Sequence, residues 1–213
     1  MAIINLGGMI MRLPLHIGVI PDGNRRWAMD NGLSKEKGYD NGLNPGLELF
    51  KLCEKYEIKE LTFYGFTVDN TKRAKIQRLA FTKACVDAVK LLSNENTDLL
   101  VIGNHESDMF PRELIPYTNR KRFGQGGIRL NFLVNYDWKW DISDTRQGIK
   151  SRDISRVDLI IRWGGRRRLS GFLPIQSVYS DFYIIDDYWP DFKAEQFEDA
   201  LMWYRGQDVT LGG

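Results

Sequence analysis

Six short runs of apolar residues recur along the chain and constrain its fold more than any other feature. The runs span residues 16–20, 61–66, 99–103, 128–135, 159–163 and 182–185. Most of them are apolar at consecutive positions, which is typical of strands buried on both faces. Because helix-sized segments separate the runs, the pattern predicts an α/β fold: a single domain with a mostly parallel central sheet and helices on both faces.

Two of the separating segments have a helical pattern. The first begins at Asn44-Pro45 and repeats apolar residues at intervals of three and four as far as Tyr56. The second, Lys75–Leu92, is apolar around more than one face, so it is either a core helix alone or a helix that also walls an apolar tunnel. The polar link over residues 143–156 is short for a parallel crossover, and at most a brief helix fits there.

Length and charge narrow the possibilities further. The 213 residues suffice for one substantial core, and we expect an N-terminal arm over residues 1–15 followed by one domain over residues 16–213. Thirty basic residues against 28 acidic ones give no global field that would attract nucleic acid or an anionic membrane. No apolar run approaches the roughly 18 residues of a membrane span, and Cys53 and Cys85 lack a metal-binding spacing. We therefore expect a cytoplasmic protein with reduced thiols, no nucleic-acid partner and no integral membrane segment.

The first candidate site is the turn PDGNRRW at residues 21–27, directly after the first predicted strand. If the turn leads into a helix, its free backbone N–H groups and two arginines form an anion site. Asp22, at the carboxyl end of a strand, has the hard oxygen ligands that hold Mg²⁺ against a diphosphate. The alternative, an ordinary Asp-Gly turn with Asn24 as the helix N-cap, is equally compatible with the spacing alone.

The second candidate site is RWGGRRRLSG at residues 162–171, which follows another predicted strand. Four arginines and a serine around a Gly-Gly turn favour a site that chelates phosphate oxygens. A basic RNA-binding patch is the competing interpretation, but the chain has no aromatic-interleaved motif to support it.

A third and weaker candidate is FTVDNTKR at residues 66–73. Arg73 suits a phosphate there and Asn70 suits a leaving group or a proton relay, whereas the alternative is a loop capped by Thr67 or Asn70. Because the carboxyl ends of parallel strands share one edge of a sheet, the three turns predict two anionic groups held side by side in one crevice. Such a crevice indicates a transferase that acts on phosphorylated apolar substrates.

Together these segments resemble the cis-prenyltransferases, the undecaprenyl diphosphate synthase family. The matching stretches are HIGVIPDGNRRWA, ELTFYGFTVDNTKR, LNFLVNY followed by WDI, VDLIIRWGGRRRLSGF and DDYWPDF, in the family's order and spacing from residue 16 to residue 192. The resemblance implies a cis-prenyltransferase-like catalytic domain, Mg²⁺ as cofactor, a homodimer, and allylic and homoallylic isoprenoid diphosphates as substrates. It also implies that the allylic tail lies between the Lys75–Leu92 helix and the sheet, beside Phe63, Ile128, Leu130 and Phe132.

The resemblance further implies roles for individual residues. Asp22, Arg26 and Asn70 correspond to catalytic residues, and Asp22 and Asp181 correspond to metal ligands. The residues expected to bind the two substrates are Gly23, Asn24, Arg25, Arg26, Trp27, Lys35, Tyr39, Thr67, Arg73, Arg162, Arg166, Arg168 and Ser170. Of these, Arg162, Arg168 and Ser170 match the subsite of the second, homoallylic diphosphate.

Several positions depart from the family pattern. Near the allylic diphosphate, Tyr39 replaces a histidine and Lys35 an arginine, so Lys35 carries more of the local charge. After Asn135-Tyr136, Asp137-Trp138 replaces a Gly-Gly pair. Near the second diphosphate the departures are Arg166 for an acidic residue, Gly171 for an asparagine and Asp181 for a glutamate. These changes leave the second substrate open between isopentenyl and dimethylallyl diphosphate. The alternatives are irregular head-to-middle coupling of two allylic diphosphates of the lavandulyl type, transfer to a non-isoprenoid acceptor or to water, and a non-catalytic partner subunit.

Overall fold

The computed structural model describes residues 2–6, 9–144, 146 and 148–208, with side chains from residue 12 onward. Its strands are β1 (Ala2–Leu6), β2 (Met9–Leu13), β3 (His16–Ile20), β4 (Glu60–Tyr64), β5 (Thr97–Ile102), β6 (Lys121–Phe123), β7 (Ile128–Leu133), β8 (Leu159–Arg162) and β9 (Asp181–Ile184). Its α-helices are α1 (Asn24–Asp30), α2 (Leu43–Lys55), α3 (Lys75–Leu92), α4 (Trp138–Asp141) and α5 (Ala194–Arg205).

Seven of the strands form the central sheet in the order β6-β5-β7-β4-β3-β8-β9. Neighbouring strands are parallel except β5 and β6, and β1 pairs antiparallel with β2 in a separate small sheet. The structure confirms the predicted α/β class and all six predicted strands, whose ends shift by two residues or fewer. The edge strand β6 is absent from the prediction because its exposed Lys121 and Arg122 give no apolar signal.

Alternate residues of the strands serve two different cores. Ile17 and Val19 of β3 belong to a core shared with apolar residues of α2, α3 and α5, whereas Ile20 belongs to the opposite core with Phe172. This double burial explains why the strands have continuous apolar runs rather than alternating ones. The second core is covered by α4 and by the turns of residues 150–178, so long helices lie mainly on one face of the sheet.

Both helix predictions are confirmed. α3 spans the predicted residues, and α2 begins one residue before the expected Asn44-Pro45 start. Among the described residues of the link 143–156 no α-helix forms, and the chain passes from β7 across β4 and β3 to reach β8. α5 is absent from the prediction, although its buried residues Phe197, Ala200, Leu201 and Tyr204 recur at helical intervals. None of the helices within the described residues has the length and apolar composition needed to cross a lipid bilayer.

Candidate active site

A cavity of about 820 Å³ opens above the carboxyl ends of β3, β4, β7 and β8. β3 and β8 are neighbours in register, so Ile20 lies opposite Arg162 and the turns after both strands leave the sheet side by side. Thr67, beyond β4, forms an isolated bridge with Tyr136, beyond β7. Parallel pairing thus brings the turns to one edge of the sheet, as predicted from the sequence.

The cavity gathers the predicted site residues with two exceptions, Trp27 and Asp181. Its lining contains Asp22, Gly23, Asn24, Arg25, Arg26, Lys35, Tyr39, Thr67, Asn70, Arg73, Arg162, Arg166, Arg168 and Ser170. Trp27 lies outside, where its indole Nε1 donates a hydrogen bond to Asp191 Oδ1 at 2.7 Å. This hydrogen bond directs the indole toward the turn of residues 189–191 rather than toward the cavity.

Asp181 is the second exception, and the prediction that it shares a metal ion with Asp22 does not hold within one chain. It is the first residue of β9 and pairs with Leu159, whereas Ile184 pairs with Arg162 at the cavity. A strand rises about 3.3 Å per residue, so the three steps from Ile184 back to Asp181 place Asp181 roughly 10 Å from the cavity, at the amino ends of the parallel strands. Burial raises the pKa of its carboxyl, and the charge of Arg12 opposes that rise.

The centre of the site is an ion pair between Asp22 and Arg162. Arg162 Nη2 donates to Asp22 Oδ2 at 2.8 Å, and Nη1 donates to Ser170 Oγ at 3.0 Å and to the carbonyl oxygen of Arg168. The guanidinium group is only 4% exposed, and its Nε has no hydrogen-bond partner among the described residues. Burial by itself would raise the pKa of the Asp22 carboxyl, but the hydrogen bond and charge of Arg162 outweigh it. The pKa therefore lies below its ordinary value, and the group is ionised at neutral pH.

Arg26 joins the two turns that follow β3 and β8. Its Nη2 lies 3.6 Å from Asp22 Oδ1 and donates to the carbonyl oxygen of Gly164 at 2.9 Å. Gly164 has φ +82°, and a Cβ built there would stand 2.6 Å from the Arg26 guanidinium, so a larger residue would displace that arginine. Ser170 is held at φ +53°, a sparsely populated conformation for serine that is typical of functional loops.

On the other side of the cavity, Tyr39 and Arg73 form a second polar pair. Arg73 Nη1 donates to Tyr39 Oη at 2.9 Å, and the Tyr39 ring stacks on Phe81 with the ring centroids 4.6 Å apart. Burial raises the pKa of Tyr39 in spite of the nearby charges of Arg73 and Arg25. The phenol therefore keeps its proton, and Tyr39 offers a neutral hydrogen-bond donor where the resemblance implies a histidine.

Of the two predicted alternatives that involve a cap, the capped loop at residues 66–73 is confirmed and the N-cap at Asn24 is wrong. Asn70 Oδ1 accepts a hydrogen bond from the Thr67 backbone N–H at 3.0 Å, so the loop is capped as the alternative proposed, although both residues also line the cavity. At α1 the N-cap is Gly23 and Asn24 is the first helical residue, so Asn24 is not the cap. Asn24 Nδ2 instead donates to the carbonyl oxygen of Pro21 at 2.9 Å.

The lining of the cavity is strongly basic. Three acidic residues, Asp22, Asp69 and Asp137, face eight basic ones: Arg25, Arg26, Lys35, Arg73, Lys139, Arg162, Arg166 and Arg168. This excess suits ligands that carry several negative charges, because guanidinium groups bind phosphate oxygens in pairs. Arg167, in the middle of the second candidate segment, is exposed and lies outside the cavity.

Several residues of the lining are missing from the predicted site, among them Lys139 and three aromatic residues, Tyr64, Tyr136 and Trp138. The signals that could have indicated them are an aromatic residue within the second predicted strand and the run YDWK directly after the fourth. Tyr64 Oη donates to the carbonyl oxygen of Ser170 at 2.7 Å, which ties this wall to the arginine-rich turn.

The carboxylates decide which metal the site could hold. Within the described part of the chain, no three His, Cys, Asp or Glu side chains cluster closely enough to hold a metal ion. Asp22 is instead a single ionised carboxylate beside a basic pocket. This donor set fits Mg²⁺, which keeps several water ligands and binds through one or two carboxylates together with substrate phosphates.

A small apolar pocket of about 80 Å³ adjoins the cavity between α2, α3 and the sheet. The two share Tyr39, Tyr64 and Phe81. Of the residues expected beside an apolar tail, Phe63 and Phe132 line the pocket and Ile128 and Leu130 do not. α3 is therefore not a core helix alone. Val86 and Val89 belong to the core, and the α3 residues that wall the pocket are Phe81, Ala84, Cys85, Ala88, Leu91 and Leu92.

A family model of undecaprenyl diphosphate synthases (Prenyltransf) matches residues 20–212. The ditrans,polycis-undecaprenyl-diphosphate synthase of Buchnera aphidicola subsp. Schizaphis graminum, specific for (2E,6E)-farnesyl diphosphate, is 31% identical over 93% of this chain and 91% of its own length. The enzyme of the same name from Yersinia pseudotuberculosis is 30% identical over 95% of this chain and 91% of its own length.

The fold also matches a solved structure. The crystal structure of lavandulyl diphosphate synthase from Lavandula x intermedia, in complex with dimethylallyl diphosphate, has a TM-score of 0.79 and 24% identity, covering 94% of this chain and 99% of that one. A match along nearly the whole chain agrees with the cavity at the carboxyl edge of the sheet. The chain belongs to the undecaprenyl diphosphate synthase family and is a prenyltransferase.

Proposed function

We propose that this protein condenses an allylic diphosphate with a second short isoprenoid diphosphate, isopentenyl or dimethylallyl, in an Mg²⁺-dependent reaction that releases diphosphate. The observation that carries the proposal is a pair of basic clusters in one cavity, joined at the Asp22–Arg162 ion pair. Each cluster has the charge to bind one diphosphate, and the apolar pocket beside the first suits a hydrocarbon tail.

The allylic diphosphate binds the cluster that lies nearest to the apolar pocket. Its phosphate oxygens contact Arg25, Arg26, Lys35 and Arg73, and Tyr39 donates a hydrogen bond to the leaving group. Asp22 would hold Mg²⁺, which when bound would supply further positive charge to the leaving group. As the C–O bond breaks, negative charge grows on the diphosphate oxygens, and guanidinium groups held in place beforehand stabilise that charge.

The second diphosphate binds the cluster after β8, against Arg162, Arg166, Arg168 and Ser170. Its alkene then attacks the allylic carbon, a C–C bond forms, and the acceptor loses a proton to restore a double bond. Asn70 assists the departure of the diphosphate or the loss of that proton. Because both substrates are fixed side by side, much of the rate enhancement comes from their orientation.

One observation supports a second candidate function, the irregular head-to-middle coupling of two dimethylallyl units. The lavandulyl diphosphate synthase whose fold matches this chain was solved with dimethylallyl diphosphate. The pocket of about 80 Å³ also suits a short tail better than a long one. This reaction would use the same two subsites with a different acceptor.

A product analysis tests the proposal. The protein is incubated with Mg²⁺ and dimethylallyl diphosphate, with and without isopentenyl diphosphate, and the prenyl products are identified by mass spectrometry. A condensed product that requires both substrates identifies isopentenyl diphosphate as the second substrate, whereas one from dimethylallyl diphosphate alone indicates irregular coupling. A free prenyl alcohol indicates transfer to water.

The Asp22→Asn variant is the matched control. We expect it to lose most activity, as should removal of the metal by a chelator. If no allylic donor releases diphosphate and Asp22→Asn behaves like the wild type, the protein is instead a non-catalytic partner subunit. On the family resemblance we further propose a cytoplasmic homodimer, with an arm over residues 1–15 and the catalytic domain over residues 16–213.

A further inference from the structure

Trp138 and Gly171 form a reciprocal contact at the wall of the cavity. A Cβ built on Gly171 would stand 2.9 Å from Trp138 Cδ1 and 3.5 Å from Tyr64 Oη. The first distance is too short for any side chain unless the indole moves. Gly171 also has φ +82°, which glycine adopts without strain. The indole thus lies on bare backbone, and the two residues fit as a pair although they are far apart in the sequence.

The backbone at Trp138 is held in position, and its ring remains accessible. It begins α4, whose start is fixed by a hydrogen bond from the Lys139 backbone N–H to Asp137 Oδ1 at 3.0 Å. The residue lines the cavity and is still 40% exposed. Among the described residues it joins no aromatic ring pair, whereas the neighbouring Trp140 packs edge-on against Tyr136. Trp140 therefore has a packing role, whereas the Trp138 ring keeps exposed surface at the cavity, with Lys139 Nζ over it at 5.7 Å from the ring centroid.

The aromatic residues next to Trp138 already use their polar groups. Tyr64 Oη donates to the carbonyl oxygen of Ser170, and Tyr136 Oη donates to the buried Asp141 Oδ2 at 2.7 Å. Both tyrosines are also nearly buried, at 1% exposure for Tyr136 and 8% for Tyr64, so the accessible aromatic surface of this wall is mainly that of Trp138. A ligand at this wall gains most from an apolar group placed against the rings.

The wall formed by Trp138 and Gly171 lies next to the second basic cluster. Ser170 belongs to that cluster, and Gly171 is the next residue in the chain. The Gly171 backbone and the indole on it therefore adjoin the place of a diphosphate held by Arg162 and Ser170. We propose that Trp138, seated on Gly171, selects the second substrate by contacting the short, branched alkenyl chain of the acceptor diphosphate. This inference rests on the proposed function and deepens it.

Equilibrium binding tests the contact without depending on turnover. Isothermal titration calorimetry is done with Mg²⁺ and an unreactive thiolo analogue of dimethylallyl diphosphate, which fills the first subsite. The two probes are isopentenyl diphosphate and inorganic diphosphate, which differ only in the hydrocarbon. We expect Trp138→Ala to weaken isopentenyl diphosphate about tenfold, as removal of an aromatic contact over about 50 Å² of hydrocarbon would. Inorganic diphosphate should change less than about twofold, because it makes no apolar contact.

A reciprocal variant and a control sharpen the test. Gly171→Ala should displace the indole and reproduce the loss seen in Trp138→Ala. The double variant should be no weaker than Trp138→Ala alone, because both changes remove the same contact. Trp138→Phe keeps a ring and should retain most of the affinity. Tyr179→Ala removes an exposed aromatic residue outside the cavity and should bind both probes like the wild type.

The outcomes separate this inference from the proposed function. If Trp138→Ala binds isopentenyl diphosphate like the wild type, or loses both probes equally, the inference is overturned. Thermal melting checks that each variant folds, and Trp138→Leu, which keeps an apolar side chain of substantial volume, replaces Trp138→Ala if that variant does not. A wild-type protein that binds neither probe would contradict the proposed function instead.

Discussion

Replacing Arg162 by lysine should remove most of the activity while keeping the charge. The guanidinium group spans Asp22 Oδ2 at 2.8 Å and Ser170 Oγ at 3.0 Å with two different nitrogens. A lysine has a single nitrogen and cannot hold both positions at once. Hydrogen bonds to charged groups contribute about 1.5 kcal/mol or more each. Because lysine can keep only one of the two bonds, we expect kcat/KM to correspond to a loss of about 1.5 kcal/mol or more, a decrease of roughly tenfold or more.

The assay is release of diphosphate, with each substrate varied in turn while the other is saturating. Arg167→Lys is the matched control, since Arg167 lies in the same segment but is exposed and outside the cavity. That variant should keep the wild-type kcat/KM. An Arg162→Lys enzyme within about threefold of the wild type would refute the reasoning, because it would show that the fork geometry of the guanidinium does not matter.

Three further predictions concern the other parts of the site. Tyr39→Phe should lower kcat/KM about tenfold, because it removes one hydrogen bond to the leaving diphosphate. Burial raises the pKa of Tyr39, so in a pH–rate profile the wild-type enzyme should keep this hydrogen-bond donor from about pH 7 to about pH 9. A wild-type rate that declined over that range with the Tyr39→Phe rate staying flat would count against this role. Arg162 holds the pKa of Asp22 below its ordinary value. The ionised carboxylate therefore stabilises the folded state fully at pH values above the unfolded-state pKa of about 3.9. This contribution to stability is lost as the pH falls through the lower folded-state pKa. In urea unfolding the wild type should therefore lose stability relative to Asp22→Asn between about pH 5 and about pH 2, and parallel curves would contradict the assignment. Ala84→Leu should fill much of the pocket of about 80 Å³ and reduce the use of C15 donors more than that of dimethylallyl diphosphate; an equal loss for all donor lengths would argue against this pocket as the tail site.

The features that could be predicted from the sequence are those that depend on local pattern. Strands buried on both faces have continuous apolar runs, as β3 and β8 show, and turns after parallel strands must meet at one edge. This logic brought Asp22, Arg73 and Arg162 together. Edge strand β6 was not predicted, because its solvent-exposed residues have no apolar pattern.

Other features depend on register and on contacts between distant segments, which the sequence pattern does not contain. Asp181 directly precedes a correctly predicted strand, but as the first residue of β9 it lies at the amino ends of the strands, away from the cavity. Trp27 is directed away from the cavity by its hydrogen bond to Asp191. Trp138 and Gly171 each depart from the family pattern, yet only the three-dimensional structure shows that one residue fills the space left by the other.

A crystal structure with Mg²⁺, an unreactive thiolo analogue of dimethylallyl diphosphate and isopentenyl diphosphate would show directly whether the cavity holds two diphosphates. We expect both diphosphates in the one cavity. The first should lie against Arg26 and Arg73, and the second against Arg162 and Ser170. A structure in which only one diphosphate binds, or in which the arginine-rich turn after β8 contacts neither ligand, would contradict the claim that two diphosphates are held side by side.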